Sequence, residues 1–406
     1  MLMSSDSTNV LRIASFRHFL SSRALSSMAF QGSAVAIGWL IYDRTRNPFD
    51  LGLVGLFQFL PMLILTFVAG HVADQFDRRQ IGLICQVIEA VTMGFTALGL
   101  WQGWLPTWGV FAAVAVLGAA QAFERPTMAA LLPGIVPTAQ LQSAVATSTS
   151  VMQTALIIGP ALGGVLYGFG EVVPFLVSGL LFLAANYNVL AIEKPASLPP
   201  RTPITFESVF AGVVFIKSKP VMLGTISLDL FAVLLGGATA LLPVYARDIL
   251  HAGPWGLGFL RMAPAIGAVA MSLLLARFPL QHRVGMKMLW AVAIFGAATI
   301  VFAYSTSIVL SVLMLVILGA SDTVSVVVRS SLVQLLTPDH MRGRVNAVNS
   351  LFIGTSNQLG EFESGMVAGL IDPVAAVAFG GIGTIAIVLI WARLFPALRK
   401  VDTLSG

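Results

Sequence analysis

The chain of 406 residues is 57% hydrophobic and only 10% charged, against about 25% charged side chains in an ordinary soluble domain, so a soluble globule is excluded. A spanning helix takes about 20 mostly apolar residues, and this content fills roughly eleven or twelve spans with no room for a sizeable soluble domain. A single cysteine, Cys85, excludes a disulfide framework or a thiolate metal cluster within one chain, and the net charge of +5 must be read by location before any partner is inferred from it.

In chain order, residues 1–16 are polar and carry no cleavage-site pattern, so they read as a tail and not as a signal peptide. Apolar stretches then predict twelve spans at 17–42, 50–74, 80–101, 107–133, 139–168, 171–192, 219–246, 254–277, 284–304, 307–336, 342–370 and 373–396. They group into two six-helix bundles, 17–192 and 219–398, with a linker at 193–218 and a tail at 399–406. The linker carries Pro195, Pro199, Pro200 and Pro203, and its second part, Phe206 to Lys217, has the loose helical spacing of a short interfacial helix. The fold class expected is an all-α integral membrane protein of two six-helix pseudo-repeats.

Sixteen of the 23 basic residues, from Arg12 and Arg17 to Arg399 and Lys400, fall on one side of these spans. Arg44, Arg46 and Arg247 fall on the other, and Arg23, Arg125, Arg261 and Arg329 lie within spans. The positive-inside rule then places both termini in the cytoplasm. The positive charge is a topological signal with anionic membrane lipids as its expected partners, and nucleic acid is not implied.

A shift of 204 residues superposes the two halves. Arg329-Ser-Ser-Leu falls on Arg125-Pro-Thr-Met, Gly236 on Gly32, Gly256 on Gly52, and His282-Arg283 on Arg78-Arg79. Duplicated bundles of this kind hold substrate near the midplane at the repeat interface and rock one half against the other, the design of secondary transporters.

Several motifs then carry a family resemblance. The run from Gly70 to Arg79 resembles the Gly-x-x-x-Asp-Arg-x-Gly-Arg-Arg/Lys loop of the major facilitator superfamily: Gly70, Asp74, Arg78 and Arg79 match, whereas Gln75 and Asp77 depart. Gly159-Pro160-Ala161-Leu162-Gly163-Gly164 resembles the Gly-Pro-x-x-Gly-Gly antiporter motif, with Ala155 where a glycine is expected. Arg125-Pro126, Leu131-Leu132-Pro133 and Met341-Arg342-Gly343-Arg344-Val345 look like the branch that contains the enterobactin exporter and drug-efflux proteins. The resemblance implies the major facilitator fold in the bacterial cytoplasmic membrane. It also implies that the first motif latches the halves in the outward-facing state, and that the second packs spans 5 and 8 tightly and seals against proton leak. Arg78 and Arg79 as mere positive-inside anchors, and Gly159, Pro160, Gly163 and Gly164 as mere packing, are the alternatives.

Ionisable groups at membrane depth cost several kcal/mol and usually face a cavity or a partner. Arg23 is expected to snorkel to the headgroups or to serve the cavity, and Glu89 to pair with a neighbouring helix. Asp229 stands near the middle of span 7 and Leu25 is its counterpart under the shift, so it is expected either to bind protons or substrate or to pair with Arg261 or Arg329. Asp322 precedes Arg329 by seven residues, nearly two turns along one face, which fits a water-bridged acid–base pair facing the cavity. Glu124 and Arg125 are adjacent and point about 100° apart along a helix, and Arg125 and Arg329 are equally candidates for gate and for substrate contact. Glu361 and Glu363 cannot share one helical face, so one is expected to titrate while the other binds a cation or partner, or both to face outer water. The arginine that drug/proton antiporters of the superfamily carry in span 4 is replaced by Val114, so coupling must use other groups.

These features predict a proton-coupled exporter of a small amphipathic compound, siderophore-like or drug-like, working by alternating access. The alternatives are uptake symport of a nutrient or iron chelate, and lipid or lysolipid flipping. No enzyme activity, cofactor or metal site is expected, and the partners are a small-molecule substrate, protons and membrane lipids, with the chain acting as a monomer. No nucleotide-binding Gly-x-x-x-x-Gly-Lys-Ser/Thr loop exists, which disfavours a primary pump.

Overall fold

A computed structural model describes residues 10–193, 206–338 and 341–403. The expected tail before residue 10, the proline-rich linker at 194–205, the surroundings of Gly70 and Gly343 and the Asp74 side chain lie outside the described residues. No strand occurs among those described. The helices are α1 (Ala14–Thr45), α2 (Pro48–Gln75), α3 (Arg78–Trp101), α4 (Thr107–Ile135), α5 (Leu141–Tyr167), α6 (Val173–Leu190), α7 (Phe206–Ser218), α8 (Pro220–Leu235), the single turn α9 (Leu242–Val244), α10 (Gly253–Arg277), α11 (Val284–Ala303), α12 (Ile308–Leu336), α13 (Arg342–Leu370), α14 (Pro373–Leu394) and the short α15 (Pro396–Arg399). Eleven stretches are long and apolar enough to cross a membrane. The one expected span not among them, the eleventh in chain order (α13), runs for 29 residues but carries Glu361, Glu363 and a series of Asn, Gln and Ser. A spanning helix this polar must face protein or a water-filled cavity.

Two compact units emerge, Met1–Ile37 with Phe57–Pro203, and Gly38–Leu56 with Ile204–Gly406. In the first, Phe16, Phe19 and Leu20 of α1 pack with Met128, Leu131 and Leu132 of α4 and with Val189 and Ile192. Glycines set the closest crossings: a Cβ on Gly118 of α4 would stand 2.2 Å from the Gln58 carbonyl of α2, and one on Gly163 of α5 only 2.3 Å from the Gly32 carbonyl of α1. Small residues that let backbones touch are the usual basis of helix packing in lipid, where no hydrophobic force drives helices together. Trp101, Trp104 and Trp108, all exposed, cluster around the α3–α4 turn, as in an interfacial aromatic belt.

In the second unit, α8, α11, α12 and α14 share a core built on Leu228, Met288, Val292, Val328 and Ile387. Here Gly267 and Gly319 bring α10 and α12 into backbone contact at Val316 and Pro264. The segment read from sequence as one helix over 219–246 is instead broken. α8 stops at Leu235, and after Gly236 and Gly237 the chain continues as a 3-10 turn (Ala238–Leu241), α9 and a π-helical turn (Tyr245–Ile249). Two adjacent glycines lower helix propensity by about 1 kcal/mol each, and the break lets Gly237 lie against the Gly360 carbonyl of α13, 2.3 Å from where a Cβ would sit.

The chain after α15 docks on the start of α11. Val284 and Gly285 donate backbone N–H groups to the carbonyls of Asp402 (3.1 Å) and Val401 (3.0 Å), which satisfies first-turn donors that a helix leaves open. The Asp402 carboxylate accepts the Arg283 backbone N–H at 2.9 Å and lies 3.4 Å from His282 Nδ1. The Arg283 hydrogen bond, and after it His282, hold this exposed carboxyl below its ordinary value of 3.8. A lowered folded value means that the docking contribution is complete above the ordinary value and is lost as pH falls through the lowered one. The tail is therefore expected to resist carboxypeptidase at neutral pH in the wild type, to become digestible in Asp402→Ala, and to loosen in the wild type only below pH 3.8.

Candidate functional site

The candidate acids within the spans gather mainly at two places, one in each unit. In the first unit, α1, α3 and α4 enclose a network around Glu124, which is 5% exposed. Ser26 Oγ donates to both Glu124 oxygens (2.9 and 3.1 Å), Gln86 Nε2 to Oε1 (2.9 Å) and Gln121 Nε2 to Oε2 (2.7 Å). The Gln121 amide also donates to Glu89 Oε1 at 2.6 Å, so one amide joins two buried acids. Gln86 in turn reaches Ser22 Oγ at 3.0 Å. A cavity of about 320 Å³ opens beside this network, with Arg23, Glu124 and Arg125 on its polar wall and Phe30, Met128, Met152 and Leu156 on its apolar wall. Glu124 and Arg125, although about 100° apart around α4, thus both line this cavity. Arg125 Nε donates to Gln121 Oε1 at 2.8 Å and its guanidinium lies over the Phe30 ring, 5.4 Å from the centroid.

In the second unit, Asp229 of α8 and Arg329 of α12 form a buried ion pair, with Ser325 Oγ 3.4 Å from the other Asp229 oxygen. Of the two arginines that sequence allowed as its partner, the structure places Arg329 there. Asp322 makes no direct ion pair with Arg329, although both members of the Asp229–Arg329 pair act on it electrostatically. It faces a cavity of about 280 Å³ together with Glu361 and Asn357 of α13, Thr239, Phe295 and the Gly236-Gly237 break. Glu361 sits where it does because Gly55 leaves space for its carboxylate, whose Oε2 is 3.4 Å from the Gly55 Cβ position. Arg261 of α10 interacts with Glu361 electrostatically, and its buried Nε has no hydrogen-bond partner. Glu363 points away from this cavity and meets Ser364 Oγ at 3.5 Å, as two acids two residues apart on a helix must diverge.

Arg78, Arg79 and the Gly159–Gly164 motif make helix–helix contacts in the geometry described. Arg78 donates to the Ala130 carbonyl at 3.2 Å, and Arg79 Nε to the Val189 carbonyl at 3.1 Å, so both bind the carbonyl ends of α4 and α6. Gly70 and Asp74 belong to the last turns of α2, and the Gly70 surroundings and the Asp74 side chain lie outside the described residues. Gly159 and Gly163 lie against Met28, Gln31 and Gly32 of α1, with Pro160 and Gly164 buried beside them.

Sequence reasoning missed Ser22, Ser26, Gln86 and Gln121, although Gln86–Glu89 and Gln121–Glu124 at i, i+3 spacing in apolar helices were a visible signal. It also missed a cluster in the second unit at the end of α1. There Tyr42 hydrogen-bonds Asp248, Arg247 pairs with Asp43, and Arg46 stands 3.6 Å from Asp248. Arg247 also covers the Trp39 ring at 5.5 Å.

The profile of the family described as "Transmembrane secretion effector" matches residues 6–405. The chain is 24% identical to the enterobactin exporter EntS of Citrobacter koseri, covering 95% of this chain and 92% of that one. It is 26% identical to the multidrug efflux pump Tap of Mycobacterium tuberculosis, over 91% of this chain and 90% of that one. Among solved structures, an inward-facing bacterial homologue of the lysosomal transporter Spinster superposes with a TM-score of 0.74 at 14% identity, covering 97% of each chain. A bacterial homologue of the iron transporter ferroportin gives 0.70 at 16%, over 97% of this chain and 100% of that one.

Proposed function

Since the chain belongs to the transmembrane secretion effector family of the major facilitator superfamily, a family of transporters and not of enzymes, we propose that it is a proton-driven exporter of a small amphipathic compound, siderophore-like or drug-like. It sits in the bacterial cytoplasmic membrane as a monomer with both termini inside. The observation that carries the proton step is the placing of Asp322 and Glu361 on one cavity of the second unit, neither of them a member of the direct Asp229–Arg329 ion pair. Asp229 is held in a direct ion pair, whereas Asp322 and Glu361 have no ion pair within 4.0 Å among the described residues and face a shared void, so they take protons from water that enters it. Proton binding there removes charge from the cavity and allows the unit to move through the membrane interior, and release on the cytoplasmic side resets it. Export in this reading runs against proton entry, and substrate leaves by alternating access. The export direction is supported by the names of the two relatives, EntS and Tap.

The deciding experiment is flux in sealed inside-out vesicles with a catecholate siderophore, a cationic dye and an anionic dye. An inside-acid gradient is expected to drive accumulation of at least one of them, with both termini open to added protease on the outer face of these vesicles. Asp322→Asn and Glu361→Gln are each expected to lower the driven rate at least tenfold at unchanged protein level. Flux that ignores both the gradient and the two substitutions would remove the proton mechanism.

A further inference from the structure

The first unit holds a cavity whose charge is unlike that of the second. Its polar wall carries two guanidinium groups, Arg23 and Arg125, and one carboxylate, Glu124. An ordinary reading would pair that carboxylate with the arginines, but its oxygens are already filled by neutral donors, the Ser26 hydroxyl and the Gln86 and Gln121 amides. Among the described residues no ion pair within 4.0 Å joins Arg23 or Arg125 to any acid. Arg125 uses one N–H, on Gln121 Oε1, of the five that a guanidinium offers. Arg23 makes no hydrogen bond among the described residues, and its buried Nε has no partner. What fixes both groups instead is aromatic stacking, Arg23 over Phe19 at 5.9 Å and Arg125 over Phe30 at 5.4 Å. Stacking orients the plane and leaves the N–H fork free.

The internal repeat sharpens this. Arg329, the counterpart of Arg125, has its own acid in Asp229, and the position equivalent to Asp229 in the first unit is Leu25. The chain keeps the arginine in both units, but among the described residues only Arg329 has an acid within ion-pair distance; Glu124 acts on Arg23 and Arg125 from further away. Arg23 is half-buried and Arg125 exposed, and their free N–H groups open onto the cavity, not onto packed side chains.

We propose that this cavity binds the anionic group of an amphipathic organic anion, a carboxylate or sulfonate held by the fork of Arg125 with Arg23, with an aromatic body of one or two rings against Phe30, Met128, Met152 and Leu156. A cavity of about 320 Å³ lies at the small end of ligand sites, which sets the ring count. The inference rests on the transporter reading for its purpose, and names the substrate class. Cationic substrates are disfavoured here because the one carboxylate has no acceptor site left to offer them.

Calorimetric binding to the purified full chain in detergent, without any gradient, tests it with two probes of one shape: naphthalene-2-sulfonate and naphthalen-2-ylmethylammonium. The sulfonate is expected to bind at least tenfold more tightly than the ammonium. Arg125→Gln and Arg23→Gln are each expected to weaken it at least tenfold, Arg125→Lys to restore part of the loss, and Glu124→Gln to tighten it severalfold by removing a repelling charge. Should the arginine variants not fold, Ser27→Cys in a Cys85→Ser background places a thiol on the cavity wall, and the sulfonate but not the ammonium is expected to slow its reaction with maleimide. A tighter ammonium, a sulfonate indifferent to both arginine changes, or an unprotected thiol would overturn the assignment. Anion binding without proton-driven flux would sink the exporter reading alone, and driven flux confined to cations would sink this inference alone.

Discussion

Arg329→Gln is expected to destabilise the protein by about 3–5 kcal/mol, the cost of leaving one member of a buried ion pair without its partner. Asp229 is 5% and Arg329 3% exposed, so neither charge can recover hydration in place. The pair is not ideally satisfied even in the native protein, because Arg329 Nε is buried without a hydrogen-bond partner. Its net contribution over a neutral pair is accordingly small, and the damage comes from breaking it. The double variant Asp229→Asn with Arg329→Gln is expected to recover most of the loss, since two amides of similar volume can hydrogen-bond each other at about 1 kcal/mol. Thermal unfolding of the three variants in detergent reads the effect. A single variant as stable as the wild type would mean that Asp229 is neutral without Arg329. That outcome would return Asp229 to the proton-binding role that its midplane position suggests.

This pair shows what the residue string could and could not carry. The 204-residue shift located Arg125 and Arg329 as equivalent and Asp229 as unmatched, and those three facts needed only the order of residues. Choosing Arg329 over Arg261 as the partner of Asp229 needed the crossing of α8 and α12, which periodicity does not fix. The same limit hid the network around Glu124. Each of Ser22, Ser26, Gln86 and Gln121 is unremarkable in its own helix, and they acquire meaning only where α1, α3 and α4 meet. The split between Glu361 and Glu363 followed from helical geometry alone, while the cavity that Glu361 shares with Asp322 depends on the break at Gly236-Gly237. Two glycines and a downstream proline were visible in the seventh span, but uniform hydropathy there read as an unbroken helix. Local backbone conformation in a membrane is set by what neighbouring helices can satisfy, and hydropathy does not record it.

The α1–α5 crossing carries the second large effect. Gly163→Ala is expected to lower stability by about 1–3 kcal/mol, the range for overpacking a close-packed site, even though alanine in place of glycine gains up to about 1 kcal/mol of helix propensity. The added methyl would stand 2.3 Å from the Gly32 carbonyl oxygen and 2.7 Å from Gly32 Cα. Both are backbone atoms, so no rotamer change relieves the contact and the two helices must separate. Gly32→Ala meets its nearest atom, the Gly159 carbonyl, at 3.3 Å and is expected to cost less, and Gly94→Ala, with nothing within 4 Å, is expected to be neutral or stabilising. Unfolding measurements on the three should rank in that order, and equal stability at Gly163 and Gly94 would show that α1 and α5 do not cross this closely in the membrane. The separation also has a functional reach. Phe30 and Gln31 on α1 and Met152 and Leu156 on α5 face the first-unit cavity from the two helices that Gly32 and Gly163 hold together. Gly163→Ala should therefore weaken naphthalene-2-sulfonate binding in whatever fraction remains folded, because a ligand held between two walls loses contact when they part, while Gly94→Ala leaves that affinity unchanged.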